Sequence, residues 1–274
     1  MTIKKIYQML LKTWLWHSMG DRNFPRTLRL EISSHCNRSC EYCPNVFAPQ
    51  GTKLISEEVL SAFLERIKEI KWKGNVDFIF FNEPLLHKGI VDIIRRVKLA
   101  APWCSPVVTT NGDALTLDLA KELVGVGVRK FFAMDHRPHR PGWMERMRAL
   151  QRIYPNRVEI FNIDELEESS GLYDYGGQVA VNKVRTKNII NGVPACDIHR
   201  HLGQIDINGE WLLCCQDFKR SLSFGNILTS SLRTIWNNPE FIKIRKDLLR
   251  GQPELSICQK CACFTGRDIA IQAT

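Results

Sequence analysis

Cys36, Cys40 and Cys43 stand at intervals of four and three residues in Glu31-Ile-Ser-Ser-His-Cys-Asn-Arg-Ser-Cys-Glu-Tyr-Cys-Pro44, with Tyr42 immediately before the last of them. Thiolate-rich sites select zinc, copper(I) or iron–sulfur clusters. A structural zinc closes with four ligands, and an ordinary four-cysteine cluster also uses a fourth. No fourth thiol lies nearby, so one metal corner is left open. The competing readings are a zinc knuckle and three buried free thiols. A second set comes from Cys196, Cys214, Cys258 and Cys261, in which Cys258-x₂-Cys261 is a recurrent metal-binding turn. On spacing alone this set suits either a cluster or zinc.

The elements that must position these residues alternate. Strand patterns at 28–32, 76–81, 107–110, 128–134 and 158–163 are separated by helical patterns at 56–70, 89–100, 115–123 and 143–154. Such repetition predicts parallel βα units, an α/β fold. In barrels built this way the chemistry gathers at the C-terminal strand ends. Cys36 to Cys43, Asn82 with Glu83, Thr110 with Asn111, and Asp135 with His136 each fall at or just beyond such an end. From Asp164 the pattern weakens, and Glu165, Glu167, Glu168, Gly171, Gly176 and Gly177 read as a loop. A hairpin on the Asn208-Gly209 turn, with strands at 203–207 and 211–214, then leads to helices at 232–236 and 239–250. The expected organisation is an N-terminal helical extension (1–25), a barrel (26–180) and a small C-terminal unit (181–274). That last unit is poor in apolar residues and needs a metal site to hold it together.

At 274 residues the chain can bury one sizeable core plus an appendage. Ten cysteines spread over this length do not resemble a disulfide framework. No run of roughly 18 apolar residues exists to span a membrane. The first twenty residues lack a small-residue cleavage site, and a cytoplasmic location is expected. Leu10, Leu11, Trp14, Leu15 and Trp16 can form an apolar helix face for packing on the body or a partner. The formal charge of +9 is dispersed, without an aromatic-interleaved basic stripe, so nucleic acid is not the expected partner.

Cys-x₃-Cys-x₂-Cys with its aromatic residue resembles the signature of the radical S-adenosylmethionine (SAM) superfamily. The resemblance implies a [4Fe-4S] cluster on Cys36, Cys40 and Cys43 whose open iron chelates SAM, which is cleaved to a 5′-deoxyadenosyl radical. Cys196, Cys214, the Asp217-Phe218 and Phe224-Gly225-Asn226-Ile227 phrases, Ile235-Trp236-Asn237 and the terminal Cys-x₂-Cys resemble the twitch domain, a shortened SPASM domain. That implies a second [4Fe-4S] cluster on Cys196, Cys214, Cys258 and Cys261. Glu83-Pro84-Leu85-Leu86, Thr110-Asn111-Gly112-Asp113 and Lys130-Phe131 with His136 resemble the members that modify aminocyclitols and aminoglycosides. Their fold is a partial (β/α)₆ TIM-like barrel with a small C-terminal iron–sulfur domain. The likeness implies that Tyr42, Asn82, Glu83, Thr110, Asn111, Asp135 and His136 serve cofactor binding, with Glu83 and its neighbours meeting the SAM amino group. It also implies an amino-sugar or aminocyclitol substrate and a reducing partner such as flavodoxin or ferredoxin.

The fate of a substrate radical left by hydrogen abstraction depends on the group that quenches it. Cys104, Cys215 and Cys263 are spare thiols. Cys215 adjoins Cys214, and strand alternation sends the two side chains to opposite faces, although Cys215 could itself be the ligand or core filler. A lone thiol donates hydrogen in epimerases of this architecture. Related dehydrogenases carry an Arg before a Gly-Gly pair where Tyr175 stands here. The expected activity is therefore epimerisation of a carbinol carbon of an aminoglycoside or amino sugar, with Cys215 catalytic. The alternatives are a dehydrogenase oxidising a secondary alcohol of an aminocyclitol, and a peptide epimerase.

Overall fold

The computed structural model describes residues 24–47, 51–181, 183–184, 189–190, 193–194 and 196–261. Residues 1–23 and Cys263 lie outside the described residues. One eight-stranded sheet organises the chain. Strands β1 (Thr27–Leu30), β2 (Asn75–Asp77), β3 (Ser105–Thr110), β4 (Lys130–Asp135) and β5 (Val158–Asn162) run parallel in chain order. Helices α1 (Glu57–Glu69), α2 (Ile90–Ala100), α3 (Leu117–Gly125) and α4 (Trp143–Ile153) connect them. Each helix buries a stripe at 3.6-residue spacing, as with Val59, Leu60, Phe63 and Ile67 of α1. Ser56 and Thr116 cap α1 and α3 by accepting main-chain N–H bonds of Val59 and Leu119.

Strand alternation divides the side chains. Leu28, Leu30, Val76, Val108, Phe131 and Ala133 enter the helix-covered core. Arg29, Thr109, Phe132 and Phe161 face a cavity on the other side.

The strand expected over 76–81 stops at Asp77, because the Asn82 side chain takes over the next main-chain groups. It accepts from Phe80 N at 2.8 Å and donates to Phe78 O at 3.3 Å, drawing the segment off the ladder. The loop expected after residue 164 contains instead α5 (Ile163–Ser170). Asn162 caps it by accepting from Asp164 N and Glu165 N, and acidic residues occupy the N-terminal turn where the helix dipole favours them. Ile163 is its only buried residue, so it has no hydrophobic period to detect.

The parallel sheet has a sixth member, β6 (Leu202–Ile205), which pairs in parallel with β1. It also forms an antiparallel hairpin with β7 (Glu210–Leu212), to which β8 (Ser223–Asn226) adds. The strand expected as half of a separate hairpin therefore completes the barrel sheet. Gly203 is obligatory there, since a Cβ would stand 2.5 Å from the Trp211 ring. Beyond the sheet lie α6 (Leu232–Trp236), α7 (Pro239–Arg250) and α8 (Ser256–Lys260). This region is not short of apolar contacts. Trp211, Phe224, Ile235, Trp236 and Phe241 belong to the same buried cluster as the barrel helices, and Phe224 stacks on Phe241 at 4.1 Å.

Buried charge adds a pin between the two parts. Arg220 donates to Glu31 at 3.0 Å and to Asp206 at 2.8 Å, and Glu31 also accepts from Ile207 N. Burial lifts the Glu31 carboxyl above its ordinary range, while the Arg220 charge pulls it back. Removing the guanidinium strands two buried carboxylates. Arg220→Met should lower stability by about 2 kcal/mol, less than for a fully buried pair because Arg220 is partly solvated. Urea denaturation measures this, and an unchanged midpoint would show that the pin contributes nothing.

Among the described residues no disulfide links any of the nine cysteines, and no helix is long and apolar enough to cross a membrane.

Candidate active site

A cavity of 370 Å³ opens at the C-terminal ends of the parallel strands, within the range of small-molecule sites. Cys36, Cys40 and Cys43 enter it from the loop between β1 and α1, where a turn bonds Cys43 N to Cys40 O. Protein contacts hold this loop. Arg38 forks onto Asp113 at 2.6 and 2.9 Å and donates to the carbonyls of His136 and Pro138. Asn111 donates to Asn37 at 2.8 Å and approaches the Cys36 sulfur at 3.9 Å. Burial raises all three thiols, Cys43 to about 11.

Glu83 lies at the end of the extended segment after β2 and is 2% exposed. One carboxylate oxygen accepts from the Thr110 hydroxyl at 2.7 Å and from Leu85 N at 3.0 Å; the other accepts from Asn111 N at 2.7 Å. Burial pushes its pKa up to about 7 against these hydrogen bonds, and no cation pairs with it among the described residues. A carboxylate so placed is a receptor for an ammonium.

The other expected residues divide between cavity and framework. Thr110, Asn111 and Asn82 are buried and line the cavity, Asn82 also donating to Ser33. Tyr42 and His136 line it too, joined by a 2.8 Å hydrogen bond. Burial pushes the His136 pKa down to about 4, so this imidazole is neutral near pH 7. Asp135 does not line the cavity. It pairs with His139 at 3.0 Å, and His139 in turn reaches Asp164 on α5.

The second thiol set also assembles. Cys196, Cys214, Cys258 and Cys261 line one small apolar cavity with Leu213, Phe241, Leu248 and Ile257. Cys214 and Cys215 diverge: the first faces this cavity, the second the large one. Gln216 borders both and forms part of the wall between them. Among the described residues no three metal-binding side chains converge closely enough to share one ion. A four-iron cluster does not require that, because each thiolate binds its own iron. The donor chemistry, buried soft thiolates with apolar neighbours, therefore fits iron–sulfur better than a closed zinc.

Sequence reasoning missed Arg29, Phe132 and Phe161, whose positions in the strand alternation could have shown them. It also missed Phe80, Phe81 and Gln216, for which no local signal exists.

The radical SAM superfamily pattern matches residues 30–136, and the SPASM iron–sulfur cluster-binding domain matches residues 196–262. The chain is 26% identical over 242 residues to the S-adenosyl-L-methionine-dependent 2-deoxy-scyllo-inosamine dehydrogenase of Niallia circulans, covering 85% of this chain and 91% of that one. The crystal structure of BtrN in complex with AdoMet and 2-DOIA aligns with a TM-score of 0.78 at 25% identity, over 89% of this chain and 94% of that one. A likeness to anSMEcpe with bound AdoMet and a peptide, at TM-score 0.54 and 16% identity over 86% and 94% of the chains, extends to the fold alone.

These findings overturn the epimerase expectation, since the relative matched along nearly its whole length is a dehydrogenase. The error lay in reading a reaction from Cys215. A thiol on a cavity wall supplies a small, polarisable group and does not by itself decide the fate of a substrate radical. With its signature loop, partial barrel and second thiol set, the chain belongs to the radical SAM superfamily, as an enzyme that uses SAM and iron–sulfur chemistry and carries a SPASM-type domain.

Proposed function

We propose that this enzyme oxidises a secondary carbinol of an aminocyclitol-type small molecule to a ketone. Two [4Fe-4S] clusters are assigned, one to Cys36, Cys40 and Cys43, the other to Cys196, Cys214, Cys258 and Cys261. The barrel spans 26–180, the auxiliary domain 181–274 with β6 returned to the barrel sheet, and a flavodoxin- or ferredoxin-like protein supplies the reducing electron. When bound, SAM and the first cluster provide a radical that abstracts hydrogen from an unactivated carbon. Glu83, with Thr110 and Asn111 fixing its oxygens, receives the SAM ammonium. Phe80, Phe81, Phe132 and Phe161 keep water from the reacting carbon.

Carbinol oxidation removes one hydrogen atom, one proton and one electron from the substrate. The observation that carries the proposal is the wall shared by the two thiol-lined cavities at Cys214, Cys215 and Gln216. A cluster held by Cys196, Cys214, Cys258 and Cys261 would lie behind that wall and could supply an electron acceptor to the substrate cavity. The likeness to a dehydrogenase over 91% of its length supports the same reading.

Anaerobically reconstituted protein, reduced and given SAM with 2-deoxy-scyllo-inosamine and related ring alcohols, should release ketone and 5′-deoxyadenosine in equal amounts. Deuterium at the reacting carbon should appear in the 5′-deoxyadenosine. Steady SAM cleavage without ketone from any of these alcohols would refute the assignment.

A further inference from the structure

The cavity lined by Cys196, Cys214, Cys258 and Cys261 is a poor place for an electron unless something offsets its walls. No charged side chain is among its described lining residues, and Leu213, Phe241, Leu248 and Ile257 line it with the thiols. Four thiolates outweigh the positive charge of a [4Fe-4S]²⁺ core, so a cluster held here is an anion before it accepts an electron and more of one afterwards. Burial in an apolar setting disfavours the more highly charged form. Such walls alone would therefore hold the cluster in its oxidised state. Hydrogen bonds to the cluster sulfurs are the lever that remains to the protein.

Two N–H groups stand at this cavity. The main-chain N–H of Gln216 donates to the Cys214 sulfur at 3.4 Å. The second is carried by His199, in the single 3₁₀ turn Ile198–Arg200 that leads into β6. His199 borders the thiol cavity, is 4% exposed and keeps its Nδ1 wholly buried. Among the described lining residues only His199 and Gln216 have side chains able to donate an N–H.

The backbone leaves the His199 turn little freedom. Before it, Cys196 N donates to the Leu248 carbonyl of α7 at 3.1 Å. Across it, His201 N donates to Ile198 O at 2.9 Å, and the His201 carbonyl accepts from Thr27 N at 2.9 Å at the start of β1. The residue is thus held between the barrel sheet and α7, three positions on from a thiol of the set. Its neighbour Ile198 borders both cavities, so this turn belongs to the wall between them.

We propose that His199 is a positioning residue that acts through the second cluster: it donates a ring N–H to one of the cluster sulfurs and, with the Gln216 N–H, raises the reduction potential so that the cluster can take the electron of the carbinol radical. His199 gains and loses neither proton nor electron. The hydrogen atom goes to the 5′-deoxyadenosyl radical, the carbinol proton to water and the electron to the cluster. The proposal rests on the assignment of a cluster to Cys196, Cys214, Cys258 and Cys261, and its tests read that cluster directly, apart from turnover.

The experiment uses cluster-reconstituted holoenzyme, in which the EPR signal that SAM does not perturb belongs to the second thiol set. His199→Phe, which keeps a planar ring and removes the donor, should make that cluster about tenfold harder to reduce, about 59 mV more negative for one electron, at unchanged iron content. His199→Gln keeps an N–H and should lie closer to the wild type. In wild-type protein labelled with ¹⁵N-histidine, pulsed EPR of the same signal should show weak coupling to a ring nitrogen that disappears in either variant. This measurement on the wild type decides the matter if the variants fail to assemble. An unshifted potential in His199→Phe, no histidine coupling in the wild type, or the strong coupling of an iron-bound nitrogen would each overturn the proposal. Absence of any SAM-insensitive signal would remove the second cluster and this proposal with it, whereas an unshifted potential removes the proposal and leaves the cluster in place.

Discussion

Cys40→Ser should abolish reductive SAM cleavage while leaving a folded protein that still holds iron. Cys40 is 7% exposed in a loop held by the Arg38 fork on Asp113 and by Asn37 with Asn111, so the loop does not depend on the cluster for its path. A serine hydroxyl is a far weaker ligand for iron than a thiolate. Loss of a residue behind a metal ligand commonly costs 10–100-fold, so loss of the ligand itself should exceed about 100-fold. The raised thiols add a feature: burial outweighs the Arg38 charge beside Cys40 and lifts all three, so assembly must release protons and should be favoured by alkaline pH. Iron analysis should find about half of the wild-type content, held by the second thiol set. The assay is 5′-deoxyadenosine formation with dithionite, and near-wild-type rates would remove Cys40 from the cluster.

How much of this was legible depended on how local each feature is. The first thiol set occupies eight consecutive positions of one loop, so spacing alone exposed it. Glu83, Thr110 and Asn111 could be placed at the cavity because strand ends are readable and barrels gather chemistry there. Pairing is not readable in that way. Leu202 to Ile205 has the same alternation whether it stands beside β1 or only in a hairpin, and the parallel ladder to β1 appears only in three dimensions. Helix α5 escaped notice because a helix burying one residue leaves no period. Asp135 read as a site residue from its place at a strand end, yet its partner is His139, four residues on. Gln216 could not be found at all, since its role arises from a wall between two cavities formed by distant segments.

The second large effect should be a reversal of pH sensitivity at Glu83. Its pKa in the folded protein, about 7, lies above the ordinary carboxylate value. Between the unfolded value and 7 the folded state therefore binds more protons, and stability falls as pH rises through this window. A displacement of this size corresponds to about 3 kcal/mol, lost by about pH 8. Glu83→Gln cannot ionise, so in protein without SAM this part of the pH dependence should vanish. Its absolute stability is a poorer guide, because the amide N–H₂ would face Asn111 N or the Thr110 and Leu85 donors. SAM binding should show the opposite sign. If the ionised carboxylate receives the ammonium, wild-type affinity should climb about tenfold per pH unit up to about 7 and fall again above about 8, where an α-amine loses its proton. Glu83→Gln should bind at least about tenfold more weakly at pH 8 and show no such climb. Chemical denaturation from pH 5 to 9 and calorimetric SAM titration over the same range measure the two curves. Parallel wild-type and variant profiles in both would mean that Glu83 ionises in the folded protein as it does in the unfolded chain and does not receive the ammonium. A stability slope removed without any change in SAM affinity would place the ammonium elsewhere in the cavity.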